Sequence, residues 1–432
     1  MRIFRWLRRR FLLIVFGALL LFSALLLRVA MARPAATTAH TTMARIEAGG
    51  MPSGAPLTPL EVALARERGA RARLLGLGYL CFQAALLVGL FAFGGARWLA
   101  GLVASIGGHW LLGLAAVAGI VSLAGVLLLL PLDYYAGFVF PHQYGLSNQT
   151  AAAWLRDYLV GAGAGAAMGL PVLALFYALL RWRPRTWWAW VALVSVPLSI
   201  FFMLIGPVFM DPLFNKFEPL EDRELRRDIL AMAHRQGIPT NDIYQVDASR
   251  QSNAVNAYVN GIGPTQRIVL YDTLLAGFTH AEIEHVMAHE IGHYVLKHIP
   301  LGIAFSVTGV FFGSLALYLL AGVMLRRWGG MLGFDRLGHP ASYPLLLALG
   351  MGLALVMMPF SAAVSRWMEW QADYFAARVY PNHRAGITVY YKLARLNIAE
   401  MDPPRWAQLL YGTHPTMRER IAYLEEKQRE EE

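Results

Sequence analysis

His289-Glu290-Ile291-Gly292-His293 reads H-E-x-x-H, a pattern in which two histidines serve a zinc ion and the acid between them serves hydrolysis. Residues four apart share one face of an α-helix, so both imidazoles can reach a single metal ion. Glu290, one position along, can stand beside the attacking water and take its proton. The flanks favour a helix. Thr279 with Glu282 makes a capping box, and Ile283, Val286, Met287 and Ile291 supply apolar positions around the histidines. An ordinary helix with several histidines and one solvated face is the plainer reading, and it would prevail for a lone histidine pair.

A third ligand downstream tips the balance. Hydrolytic zinc takes three protein ligands and leaves a fourth position for water. Glu369-Trp370-Gln371-Ala372-Asp373 sets two carboxylates four residues apart, hence on one helix face. Glu369 is the expected ligand; Asp373 would hydrogen-bond a ligating histidine or assist proton transfer. Paired acids on a helix ordinarily face solvent, but this pair follows a hydrophobic span and sits among Ala372, Phe375 and Ala376. His285, four residues before His289, competes as a ligand and ranks below Glu369, as a helix-surface histidine.

Of 432 residues, 57% are hydrophobic and only 15% charged, well under the roughly 25% charge of soluble domains. Hydrophobic stretches run through Phe11–Ala30, Leu74–Phe93, Leu102–Leu130, Leu159–Leu180, Trp187–Phe209, Leu301–Leu325 and Pro344–Val364. Each is about 20 residues or longer, enough to cross a hydrocarbon core roughly 30 Å thick. The expected fold is therefore mainly α: a multi-pass integral membrane protein of about seven spans carrying a small α+β zincin-like domain. The net charge of +10 is mostly arginine beside the spans, which fits anionic lipid and a bilayer partner rather than nucleic acid. The single cysteine, Cys81, lies in a span, so no intramolecular disulfide forms and the redox compartment is not revealed.

The order along the chain follows. Residues 1–32 form an N-terminal anchor and first span; the run ending at Ala30-Met31-Ala32 resembles a signal-peptide cleavage site but is long for one, which favours an uncleaved anchor. A linker and amphipathic helix (33–73) lead to spans two to five (74–209), where Gly161, Gly165 and Gly169 repeat at a spacing that lets helices approach closely. Residues 210–300 form the polar insert with H-E-x-x-H. It opens on a proline-bounded loop, continues with a helix at Arg223–Gln236 and has strands at Ile243–Val246, Ala257–Val259 and Arg267–Tyr271. Spans six and seven (301–364) follow, then a C-terminal part (365–432) with Glu369. Span interiors hold no Asp, Glu, Lys or Arg and only His109 as an ionisable group, which counts against a transporter, and the presence of Glu290 with three candidate ligands counts against an inactive scaffold.

The chain resembles the M48 zinc metalloproteases, in particular the Ste24-type CAAX prenyl protease branch. The resemblance is carried by His-Gln-Tyr-Gly-Leu-Ser-Asn-Gln-Thr (142–150), Pro-Leu-Phe-Asn-Lys-Phe (212–217), Asn-Ala-Tyr-Val-Asn-Gly (256–261) and Arg-Ile-Val-Leu-Tyr-Asp-Thr-Leu (267–274). It continues through His-Glu-Ile-Gly-His (289–293), Glu-Trp-Gln-Ala-Asp (369–373) and Thr-His-Pro (413–415). It implies a metalloendopeptidase with one zinc ion per chain on His289, His293 and Glu369, and Glu290 as general base. Asp373 matches the family's second acid. Asn256 and Ala257 match an edge strand that aligns the substrate backbone, with Asn253-Ala254 as the alternative register. His414 and Arg420 match a His-Pro…Arg pattern, His414 serving the oxyanion. The implied substrate is a peptide or protein, lipidated or not: a C-terminal prenylated cysteine on one reading, damaged membrane proteins on another. The resemblance implies a site open to the cytosol, whereas arginines near the N-terminus and at 181, 183, 185, 326 and 327 imply a periplasm-like side; Arg66, Arg68, Arg71 and Arg73 blunt that rule.

Overall fold

The computed structural model describes residues 2–32, 54–238, 243–260 and 267–432. Most of the expected linker (33–53) and Gly261 lie outside them. Seven helices are long and apolar enough to cross a bilayer by length and composition. They are α1 (Arg2–Ala30), α2 (Pro59–Ala92), α4 (Trp110–Tyr134, running through a π turn at Tyr135–Val139 to Gln143), α5 (Ala151–Trp182), α6 (Trp187–Ile205), α10 (His298–Leu332) and α11 (Tyr343–Val379). A short helix, α3 (Gly95–Ser105), precedes α4. Span three therefore starts at Trp110 rather than Leu102, because Gly107 and Gly108 take φ of 76° and 68° and break the helix.

The helices overrun the apolar stretches, and the overruns carry polar groups. The amphipathic stretch before span two is continuous with it in α2, started by a complete capping box at Thr58 and Glu61. Asp133 in the last turn of α4 accepts hydrogen bonds from Tyr79 at 2.8 Å and Tyr158 at 2.9 Å. The glycine stripe on α5 makes no close helix contact: a Cβ on Gly165 or Gly169 would meet nothing within 4 Å, and one on Gly161 only Phe214. The small-residue spacing is present, but no partner helix packs on that face among the described residues.

One core joins α3, α4, α5, α6, α10 and α11 around Leu99, Val117, Tyr177, Trp187, Ala321 and Ala341. Tyr177 hydrogen-bonds Ser342 at 2.8 Å inside it. A second core builds the polar insert. There α7 (Arg223–Arg235) and α9 (His280–Val295) cover a four-stranded sheet ordered β1-β2-β4-β3. The strands are β1 (Phe217–Pro219), β2 (Ile243–Val246), β3 (Ala257–Asn260) and β4 (Arg267–Tyr271). β1 replaces part of the expected loop, pairing antiparallel with β2. β2 and β4 are parallel, and β3 closes the sheet antiparallel to β4, leaving β3 as an edge. A short α8 (Asp272–Gly277) connects β4 to α9.

The C-terminal part is helical: α12 (His383–Leu396), α13 (Arg405–Tyr411) and α14 (Met417–Glu431). It is clamped to α9 by a buried ion pair. Lys392 donates to Glu282 at 2.7 Å and to the Gly277 carbonyl at 3.2 Å. Glu282 is at once the capping-box acid of α9.

Candidate metal centre

α9 begins where the sequence places it, Thr279 and Glu282 forming both halves of the capping box. His289 and His293 then fall on the face turned to α11. Gly292 makes the approach possible: a Cβ there would lie 3.0 Å from Phe375 and 3.3 Å from the Ala372 backbone. A side chain there would have to displace the Phe375 ring or the Ala372 backbone by a few tenths of an ångström.

Three donor atoms converge. Nε2 of His293 lies 3.1 Å from Nε2 of His289 and 3.5 Å from Oε1 of Glu369, and Nε2 of His289 lies 3.2 Å from Oε2 of Glu369. Ligands bound at 2.0–2.1 Å in a tetrahedron stand about 3.3 Å apart, so the donor set has the spacing of a zinc site. Glu369 Oε2 is buried without a hydrogen-bond partner, as a free ligand lone pair would be. Among the described residues these three form the group that could hold a metal ion. His285 is not part of it. It is 2% exposed, packed against Gly386 and Tyr390, and burial pushes it down to about 3.

The electrostatics suit a cation. Burial pulls His289 down, but its hydrogen bond to Asp373 and the adjacent Glu369 carboxylate outweigh it and raise His289 to about 10. Burial and the charge of His289 lower His293 to about 3. One proton thus stays between buried carboxylates, a positive charge that a zinc ion would replace. Burial, with the charge of Glu369 in the same direction, pushes Glu290 up to about 7.

Further side chains brace the donors. His289 Nδ1 donates to Asp373 Oδ1 at 3.0 Å. Asp373 also accepts from Tyr390 at 3.0 Å and from two nitrogens of Arg420 at 2.9 and 2.6 Å. Arg420 in turn stacks over Tyr390 at 4.4 Å. His298 and Gln371 were invisible to sequence reasoning. His298 Nδ1 lies 2.9 Å from Nδ1 of His293, and its Nε2 lies 3.0 Å from Oε1 of Gln371. A histidine five residues past a ligand has no helical relation to it; the contact arises because Lys297 takes φ of 57° and turns the chain between α9 and α10.

β3 lies beside α9. Tyr271 N–H bonds Asn256 C=O, so by strand alternation the backbone groups of Ala257 and Val259 point away from β4, to the free edge. The Val259 N–H there donates to Glu290. Asn256 is exposed, and Asn253 is not in the strand but bonds Gly145 and Asn148 in the loop after α4. That favours the Asn256-Ala257 register. A cavity of about 370 Å³ lies between this edge, α9 and α12, lined by Ala257, Val286, Glu290, His414 and Arg420. His414 places Nε2 3.5 Å from Oε1 of Glu369.

With this geometry in place, the comparisons with known proteins can be read. The sequence profile described as Peptidase family M48 matches residues 219–428. The profile described as CAAX prenyl protease N-terminal, five membrane helices, matches 66–216. An uncharacterized metalloprotease, YhfN of Bacillus subtilis, is 35% identical over 309 residues, 72% of each chain. CAAX prenyl protease 1 of Saccharomyces cerevisiae is 31% identical over 324 residues, 71% of each chain. The crystal structure of S. mikatae Ste24p superposes with a TM-score of 0.71 at 25% identity, covering 95% of this chain and 98% of that one.

Proposed function

The chain belongs to peptidase family M48 as a membrane zinc metallopeptidase, and from that premise we propose that it is an endopeptidase cutting extended, C-terminally lipidated peptides. The observation that carries the reading is the free edge of β3, whose Ala257 backbone groups open onto the same cavity as Glu290 and the donor set. Substrate main chain pairs with that edge as an added strand, and Asn256 stands exposed at its start.

Zinc bound by His289, His293 and Glu369 would polarise a peptide carbonyl and make a water more acidic. Glu290 takes the proton of the attacking water and passes it to the departing amide nitrogen. His414 donates to the carbonyl oxygen as it gains charge. Asp373 is a positioning residue. Its oxygens are held by His289, Tyr390 and Arg420, so it fixes the His289 ring rather than delivering a proton.

Lipidation is supported by the name of the Saccharomyces cerevisiae relative, CAAX prenyl protease 1, and by an apolar recess of about 710 Å³. That recess lies between α10 and α11, lined by Phe305, Leu353, Met357 and Phe360, and reaches Met368, the residue before Glu369. The arginine distribution supports a metal site on the periplasm-like side. Of the four arginines that blunted the rule, Arg68, Arg71 and Arg73 are engaged inside the protein by Ile398 C=O, Ala30 C=O with Tyr144, and Glu400, while Arg66 is exposed.

The test is cleavage by purified protein of a C-terminal peptide with and without a prenyl group, alongside Glu290→Ala. We expect the prenylated peptide to be cut and the variant to lose activity by ~10²–10⁴-fold with zinc content unchanged. Loss of zinc in that variant would overturn the role of Glu290. Equal cleavage of the unmodified peptide would replace the lipid reading with general clearance of membrane proteins.

A further inference from the structure

At the opposite end of α10 and α11 from the metal centre, a recess of about 330 Å³ lies between the end of α5, the start of α6, α10 and the loop before α11. Its walls are apolar and aromatic, formed by Leu180, Trp187, Tyr318 and Leu325, and its mouth carries Arg181 and Arg336. A third guanidinium stands beside the recess without lining it: Nη1 of Arg326 folds back along α10 to 3.4 Å from the position a Cβ on Gly322 would occupy, and Gly322 is a lining residue. Arg181 is held in place, donating to Gly338 C=O at 3.2 Å and lying 5.3 Å over Trp110.

The charge here is unbalanced. No carboxylate lies within 4 Å of Arg181, Arg326 or Arg336 among the described residues; the acid next to them in sequence, Asp335, is exposed. Two cations, Arg181 and Arg336, thus line one recess without a carboxylate partner, and an anion bound there would offset their repulsion. The recess also sits at the level where the apolar stretches of spans four to six give way to arginine, the depth of lipid phosphates. Guanidinium forks match a phosphate, and the wall of Trp187, Tyr318 and Leu325 matches hydrocarbon.

We propose that this recess binds an anionic phospholipid, its phosphate between Arg181, Arg326 and Arg336 and an acyl chain along the α6–α10 wall. A free phosphate shares the headgroup chemistry but leaves the apolar wall empty, so the two sources separate by experiment.

The full chain in detergent is titrated with phosphatidylglycerol or phosphatidylcholine, and retained lipid is counted by native mass spectrometry. The wild type retains phosphatidylglycerol preferentially. Arg326→Gln with Arg336→Gln, both at exposed positions, lowers that preference by on the order of tenfold or more. Arg183→Gln with Arg185→Gln removes the same charge outside the recess and leaves the preference within about twofold. Arg181→Lys keeps the charge but loses the fork, and lowers retention as well. Zinc content of each variant reports that the fold is intact. Equal losses in the recess and control pairs would reduce the effect to diffuse surface charge and overturn the site. Inorganic phosphate competing as strongly as the lipid would overturn the lipid assignment.

Discussion

At the metal centre, residue chemistry divides into what spacing reveals and what only folding reveals. His289, His293, Glu369 and Asp373 were legible because two i, i+4 pairs on helices bring like side chains to one face. His298 was not, since its approach to His293 depends on the left-handed turn at Lys297. With Nε2 of His293 facing Glu369, the ring proton sits on Nδ1 and is donated to His298, whose own Nε2–H donates to Gln371. His298→Ala should therefore weaken zinc binding roughly 10–100-fold, measured by competition with a chelator; unchanged affinity would reduce His298 to packing. His285 carries a different prediction. Its folded value of about 3 lies below the ordinary 6.5, so the folded protein refuses a proton the unfolded chain accepts. The stability it permits is present above about pH 6.5 and drains away as pH falls from there towards 3. The pH 7 to pH 5 drop in thermal midpoint should be smaller in His285→Leu than in the wild type, and an equal drop would show that His285 titrates normally.

Among the elements, strands and spans were read at their centres and misread at their ends. Apolar runs mark what must avoid water, whereas helix ends are decided by caps, packing and polar partners such as Asp133 with its two tyrosines. β1 was missed because three residues, one of them Pro219, carry no periodicity. The clamp between α9 and α12 was equally hidden: Glu282 and Lys392 are 110 residues apart, and nothing in either helix alone marks them as a pair. Both are nearly fully buried, at 5% and 4% exposure. Lys392→Met should thus cost about 3–5 kcal/mol by stranding the Glu282 charge, read as loss of thermal stability in detergent. A shift within error would mean that water reaches the carboxylate.

On the scale of the whole molecule, the helical membrane architecture followed from composition alone, but the joining of the insert to the C-terminal helices did not. Two spans separate Glu369 from His293, and it is the packing of α9 against α11, allowed by Gly292, that unites them. Orientation also belongs to this scale. With arginine concentrated before the first span and at 181, 183, 185, 326 and 327, the side opposite the metal centre, a reporter fused after Glu432 should be active outside the cytoplasm. A cytoplasmic signal would reverse the assignment.

The seventh span and the ligand Glu369 share one unbroken helix, Tyr343–Val379. Glu369 stands five positions past the last apolar position of that span, Val364, a rise of about 7.5 Å along the axis. A metal ion held by Glu369 would thereby keep a constant offset from the apolar stretch of the same helix, and its height would change only if the span moved. The helix is a ruler that couples the position of the donor set to the seating of the seventh span.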